Sequence, residues 1–154
     1  MADVVVRRAG ADDAFIVAAL HLQFARELGM PSEPGYLDRF VDAWLAERPD
    51  RPTWIAEARG EHAGILETRR IRALPWPGRR DVSWLHVGGL FVTPGTRDLG
   101  VARALTEVMI EWSRSTDVKW IRVNAPDEKE QQFYERLGFA SPGRLMEFDL
   151  RDPE

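Results

Sequence analysis

Leu90-Phe91-Val92-Thr93-Pro94-Gly95-Thr96-Arg97-Asp98-Leu99-Gly100-Val101-Ala102-Arg103 is the stretch of this chain whose reading decides the fold. An apolar strand runs into a proline, a tight polar loop follows, and a helix opens at a glycine. The first backbone N–H groups of a helix have no intrahelical partners, and the helix dipole places partial positive charge at the same point. The stretch therefore predicts an anion site, with the phosphates of a nucleotide-like ligand as its expected occupant.

Spacing narrows the class. No Gly-x-x-x-x-Gly-Lys-Ser/Thr occurs, which removes a P-loop nucleotide hydrolase. No Gly-x-Gly-x-x-Gly follows the first strand, which removes a Rossmann dinucleotide site.

Working outward, the N-terminal side begins with a short apolar strand, Val4 to Arg8. Asp12 or Asp13 is placed to cap a helix running to about Leu28, with Phe15, Ala18, Ala19, Leu22 and Ala25 as its predicted apolar face. Gly29 and Pro31 end that helix. A second helix fits Tyr36 to Glu47 through Leu37, Phe40, Val41, Trp44 and Leu45, and Pro49 and Pro52 close it. Thr53 to Arg59 and His62 to Ile71 read as strands joined at Gly60-Glu61, an antiparallel hairpin. A loop, Arg72 to Asp81, leads to a long central strand, Val82 to Val92. The Gly88-Gly89 pair inside it predicts a bulge or a close backbone approach.

On the C-terminal side, Gly100 to about Ser115 is an amphipathic helix with Val101, Leu105, Val108, Met109 and Trp112 on one side. Val118 to Asn124 is a strand and Glu128 to Leu137 a helix. Gly138 stands where a left-handed C-terminal cap is expected. Phe139 to Leu150 supplies a terminal strand. The order β, α, α, three strands, α, β, α, β predicts a mixed α/β fold built around one sheet. No repeat, low-complexity segment or linker divides the 154 residues, so one domain spanning 1–154 is expected.

Composition sets limits. The 44% hydrophobic and 30% charged fractions are those of a globular protein. No apolar run is long enough to cross a bilayer, and the N-terminus lacks a signal-peptide layout, so no membrane association and a cytoplasmic location are expected. A net charge of −4 argues against a general nucleic-acid binder. Cysteine is absent, which excludes disulfides, thiolate metal sites and an acyl-cysteine intermediate. His21, His62 and His86 lie far apart without metal-ligand spacing, so no metal is expected.

Arg97-Asp98-Leu99-Gly100-Val101-Ala102 resembles the acetyl-coenzyme A signature Gln/Arg-x-x-Gly-x-Gly/Ala of the GNAT superfamily of N-acetyltransferases, and Leu90-x-Val92-x-Pro94 resembles the strand that leads into it. Phe133-Tyr134-Glu135-Arg136-Leu137-Gly138-Phe139 is similar to the Phe-Tyr-x-x-x-Gly-Phe ending of the same fold. The element order agrees over nearly the whole chain. The resemblance implies a GNAT-like mixed, mostly antiparallel sheet flanked by helices on both faces. It also implies direct transfer of acetyl from acetyl-coenzyme A, as co-substrate, to a primary amine. A GNAT-fold protein that binds an acyl-coenzyme A without transferring it is the alternative.

The same resemblance places Leu90, Phe91 and Val92 on the pantetheine and acetyl carbonyl. It places the N–H groups of Arg97, Asp98, Leu99, Gly100, Val101 and Ala102 on the pyrophosphate. Arg97 and Arg103 are candidates for charge-assisted phosphate contacts, and ordinary solvated charges otherwise. Gly100 admits close approach of the backbone. Asn124 is a candidate polar contact near the point where the two central strands should splay. Tyr134 would give a proton to the coenzyme A thiolate, or else be a core residue with a bonded hydroxyl.

Departures from the family pattern matter too. Some relatives carry a glutamate where this chain has Gly88, which leaves His86, Glu67 or relaying water as the base. Asp98 brings negative charge to the phosphate loop. Asp127 and Glu130 stand where many relatives have Asn-x-x-Ala. The resemblance places acceptor choice on residues about Phe24 to Trp44 and Arg72 to Asp81, with Trp76 as a candidate wall. A homodimer through the terminal strands is a further expectation.

Overall fold

The computed structural model describes residues 3–152. Contacts divide the chain into two compact units, Met1–Asn124 and Ala125–Glu154.

The first unit is built on a five-stranded sheet in sequence order, β1 (Val4–Arg8), β2 (Thr53–Ala58), β3 (Glu61–Arg72), β4 (Ser83–Val92) and β5 (Val118–Val123). Neighbours from β1 to β4 are antiparallel, while β4 and β5 are parallel. A parallel pair needs a crossover, and α3 (Val101–Arg114) supplies it. The sheet is therefore mixed and mostly antiparallel, as expected.

Its two faces are covered separately because strand side chains alternate. Ile55, Ile65 and Phe91 lie on one rung and pack with Val17, Ala18 and Leu20 of α1 (Ala14–Glu27) and Val41 and Trp44 of α2 (Tyr36–Glu47). On the other face a Cβ at Gly64 would stand 3.0 Å from Val101 and 3.2 Å from Leu105 of α3. Trp54 meets Trp112 edge to face there, with ring centroids 5.6 Å apart. Arg8 lies over both rings, and burial lowers its pKa.

Local chemistry explains the ends. Asp13 closes a short 3-10 turn, Ala11–Asp13, before α1. Its carboxylate accepts from the Gly10 N–H at 2.8 Å and pairs with Arg7. The apolar face of α1 differs from the sequence expectation. Ala14, Val17, Ala18 and Leu20 are buried, whereas Phe15 and Ala19 face outward and Leu22 and Ala25 are only half-buried. So many residues of this helix are apolar that the pattern alone leaves its rotation open. The sheet surface fixes it. In α2, Val41 and Trp44 are buried as expected, while Leu37 and Leu45 are exposed.

The second unit centres on α4 (Glu128–Arg136). Asp127, at one departing position, caps it by accepting from the Glu130 N–H at 2.8 Å. Gly138, at φ +99°, closes the helix as expected. Its N–H bonds the Glu135 carbonyl, and the Phe139 N–H bonds the Tyr134 carbonyl.

The terminal strand is a correction, because residues 139–152 form none. Met146, Phe148 and Leu150 alternate with charged residues but are exposed, and no hydrogen-bonding ladder holds the segment. An alternating pattern becomes a strand only against a partner.

Candidate active site

The stretch that decided the fold also shapes one end of the sheet. Pairing of β4 with β5 stops at Val87 and Val123. From Gly88 to Val92 the β4 backbone keeps β3 on one side and has lost β5 on the other. Leu90, Phe91 and Val92 thus lie on a freed strand edge, and exposed Asn124 follows directly after β5. The Phe91 ring stacks on Phe24 of α1 at 5.3 Å.

After β4, Pro94–Leu99 winds into a short 3-10 helix. The loop is pinned to the sheet by the Thr93 N–H on the Ala63 carbonyl at 2.8 Å and by buried Thr96, whose hydroxyl reaches the same carbonyl at 3.3 Å. Gly100 takes φ +78°, the left-handed region, and a Cβ there would meet nothing within 4 Å. Its glycine is required by that turn, and the space before it is open.

No side chain caps α3, whose first bond runs from the Ala104 N–H to the Gly100 carbonyl at 3.0 Å. The N–H groups of Val101, Ala102 and Arg103 are left pointing out of the helix start. Half-buried Leu99 closes the turn, and Asp98 is exposed with no hydrogen bond or ion pair among the described residues.

The two arginines are engaged within the chain. Arg97 donates to the Val92 carbonyl at 3.1 Å and to Glu27 at the end of α1 at 2.5 Å. Arg103 pairs with Glu107 one turn on.

The bulge predicted at Gly88-Gly89 is present. Glu67 opposes Gly89 while Thr68 opposes Val87, so Gly88 is the extra residue. The close approach is there as well. A Cβ at residue 88 would collide with Glu67 Oε2 and lie 2.9 Å from its Cδ. Glu67, projecting from β3, thus fills the space that a side chain at position 88 would need.

Glu67 is mostly buried, with Arg51 Nη1 on its Oε1 at 2.8 Å. Burial pushes its carboxyl above the usual glutamate range, and Arg51 opposes that shift. Arg51 also holds Glu47 Oε2 at 2.7 Å, tying the end of α2 to β3.

His86 occupies the rung between Arg69 and Arg122, half-buried and without a hydrogen bond or ion pair among the described residues. The two candidate bases are therefore not brought into contact. Trp76, the candidate wall, is 68% exposed. Tyr134, in the second unit, is 8% exposed between Phe133 and Phe139. Burial, with Glu130 nearby, raises its pKa to about 12.

The sequence reading missed His21, Glu47 and Arg51, which line one cavity of about 220 Å³ with Glu67 and with Phe40, Ala43 and Trp44 from the stretch it gave to acceptor choice. Glu47 and Arg51 are spaced i, i+4, the ordinary signature of a solvent-facing pair. Nothing local announces that Arg51 also reaches a strand residue.

A family model described as the acetyltransferase (GNAT) family matches residues 18–139. No curated protein matches the chain in sequence. Among solved structures, it is similar to a predicted acetyltransferase with acetyl-CoA from Clostridium acetobutylicum. That match has TM-score 0.73 and 17% identity, covering 96% of this chain and 97% of that one. A ribosomal-protein-alanine N-acetyltransferase from Brucella melitensis biovar Abortus 2308 matches with TM-score 0.73 and 22% identity over 98% and 100% of the two chains. An aminoglycoside acetyltransferase from an uncultured soil metagenomic sample matches with TM-score 0.72 and 20% identity over 98% and 99%.

Proposed function

The chain belongs to the GNAT acetyltransferase family and is an acyltransferase, and we propose that it moves an acetyl group from acetyl-coenzyme A directly to a primary amine. The observation that carries this reading is a continuous one. A strand edge freed from β5 runs through a pinned loop into an uncapped helix start, and a buried carboxylate lies over the same strand at Gly88.

The residues present fit the co-substrate. The open helix start offers convergent N–H donors to a pyrophosphate, and the freed edge offers backbone groups to amides of an extended chain. In this reading Val101, Ala102 and Arg103 hold the phosphates through backbone N–H groups. Leu90, Phe91 and Val92 hold the pantetheine. When bound, acetyl-coenzyme A supplies a thioester carbonyl carbon open to an amine, with a thiolate as leaving group.

Glu67 is the base. Its carboxylate takes the proton that the acceptor amine must lose, and its pKa, raised by burial, makes it a stronger base than an ordinary glutamate. The nitrogen lone pair then forms the C–N bond to the carbonyl carbon, the C–S bond breaks toward sulfur, and the second proton that nitrogen sheds leaves through water and restores the proton that Tyr134 gives to sulfur. Backbone N–H groups on the freed β4 edge stabilise charge on the carbonyl oxygen. Tyr134 keeps its proton at physiological pH and is the donor to sulfur in this reading. Glu67 is favoured over His86 because a glycine across the strand makes room for its carboxylate, whereas His86 has no partner to orient it.

Calorimetric titration with acetyl-coenzyme A and with desulfo-coenzyme A tests the site, alongside Gly100→Trp and Ala102→Asp variants. An aspartate in the first turn complements the helix dipole, so Ala102→Asp is expected to stay folded while repelling phosphate. Binding by the native chain that both variants lose supports the reading. Undiminished binding by Ala102→Asp refutes the phosphate assignment, and no binding by the folded native chain refutes the transferase.

A further inference from the structure

The cavity between α1, α2 and the sheet has walls of two kinds. His21, Phe40 and Trp44 supply aromatic surface, and Glu47, Arg51 and Glu67 supply charge. We propose that this cavity receives the acceptor as an unbranched alkylammonium group, the end of an aliphatic primary amine carrying no acid group beside its nitrogen. The proposal deepens the transferase reading above and rests on it.

Charge gives the first reason. The lining carries two carboxylates and one guanidinium, and Arg51 spends its Nε on Glu47 and its Nη1 on Glu67. Arg69 reaches Glu47 Oε1 at 3.7 Å from outside that lining. An entering cation meets Glu47, which is half-exposed, and then Glu67 deeper in. An entering carboxylate would meet the same two anions with the Arg51 donors facing them already taken. The order matters for chemistry, because the inner carboxylate is the one lying over Gly88 on β4. An ammonium drawn along this line delivers its proton to Glu67.

The aromatic wall gives the second reason. The His21 ring lies 4.7 Å from Phe40, and its Nδ1 is 2.7 Å from the Tyr36 hydroxyl. Burial lowers the His21 pKa, which disfavours the charged ring and the repulsion it would bring to a cation. The Trp44 indole is fixed by its N–H on Thr53 Oγ1 at 3.1 Å. Rings held in this way offer π-faces to an ammonium and apolar surface to methylenes.

Size gives the third reason. At about 220 Å³ the cavity is below the usual range of about 300–1,000 Å³ for drug-sized ligands. It admits the end of a chain and not a whole multi-ring amine.

The test measures amine-dependent release of coenzyme A by the full chain, with n-butylamine, glycine and aniline as probes, and acetyl-coenzyme A affinity measured separately by calorimetry. Butylamine is expected to be at least tenfold better in kcat/KM than glycine, which brings a carboxylate, and than aniline, which is uncharged at neutral pH. Ala43→Trp fills the cavity from the exposed side of α2. It is expected to raise the butylamine KM at least tenfold while acetyl-coenzyme A affinity stays within twofold. Glu47→Gln is expected to raise that KM severalfold with less effect on kcat. Glycine or aniline equalling butylamine overturns the proposal, as does an unchanged KM in Ala43→Trp. Binding of acetyl-coenzyme A without transfer to butylamine overturns the acceptor assignment alone. Failure to bind acetyl-coenzyme A removes the transferase reading and the proposal together.

Discussion

Gly88→Ala is the substitution that most directly tests how this site is built. A methyl at residue 88 would overlap Glu67 Oε2 and stand 2.9 Å from Cδ, where ordinary contact is 3.4–4 Å. The carboxylate must retreat by about 1 Å or more, and a shift of about 1 Å at a reacting group costs on the order of 10²-fold. We expect kcat/KM for the amine to fall about 10- to 100-fold, about 1.4–2.7 kcal/mol of lost transition-state stabilisation. The overpacking should also lower stability by about 1–3 kcal/mol, so activity is assayed well below the midpoint of thermal unfolding. Acetyl-coenzyme A affinity should hold.

Glu67→Gln should lose about 10²–10⁴-fold if it removes the base. Adding Gly88→Ala to Glu67→Gln should then cost little more, because both act through one carboxylate. A Gly88→Ala enzyme that is less stable but within twofold of native activity would refute the assignment of Glu67. Additive losses in the double variant would refute the positioning role of Gly88.

Because burial raises the Glu67 pKa, the acid limb of kcat/KM should lie above the usual glutamate range and vanish in Glu67→Gln; a limb at an ordinary glutamate value counts against Glu67. The linked effect on stability has the opposite sense. A raised folded-state pKa stabilises the fold fully below the unfolded value near 4.5, and that contribution is lost as pH rises through the higher folded value. Native chain should therefore lose ground to Glu67→Gln over that window, followed by thermal unfolding against pH. Asp13 behaves in the opposite way. Its bond to Arg7 lowers its pKa, so Asp13→Asn should cost stability above about pH 4 and converge with native as pH falls through the depressed value. Trp54→Ala, at a fully buried site against Trp112, should cost about 3–5 kcal/mol by denaturant unfolding. Tyr134→Phe should lower kcat by about tenfold or more with acetyl-coenzyme A affinity unchanged; unchanged kcat would leave Tyr134 a core residue.

Much of this molecule is written locally. The strand–loop–helix from Leu90 to Arg103 is legible because Pro94 and Gly100 constrain the backbone where they stand, whatever packs nearby. Gly138 as a left-handed cap and the bulge at Gly88-Gly89 are legible for the same reason. From these and from the order of periodic segments, the mixed sheet, the crossover helix and the uncapped start of that helix follow. The segment after Gly138 shows the limit, since its alternation of Met146, Phe148 and Leu150 makes a strand only when another strand bonds to it.

The site that would perform chemistry was decided by tertiary structure. The sequence left Glu67 and His86 as equal candidates, and offered no reason to join Glu67 to Arg51, 16 positions away, or to Gly88 on the next strand. Those contacts depend on register, on which way a bulge turns its side chains and on which rotation α1 and α2 adopt against the sheet. Backbone preferences are properties of single residues and their neighbours, so the chain states them outright. The placing of one carboxylate over one glycine is a property of packed elements, and it exists only once they have packed.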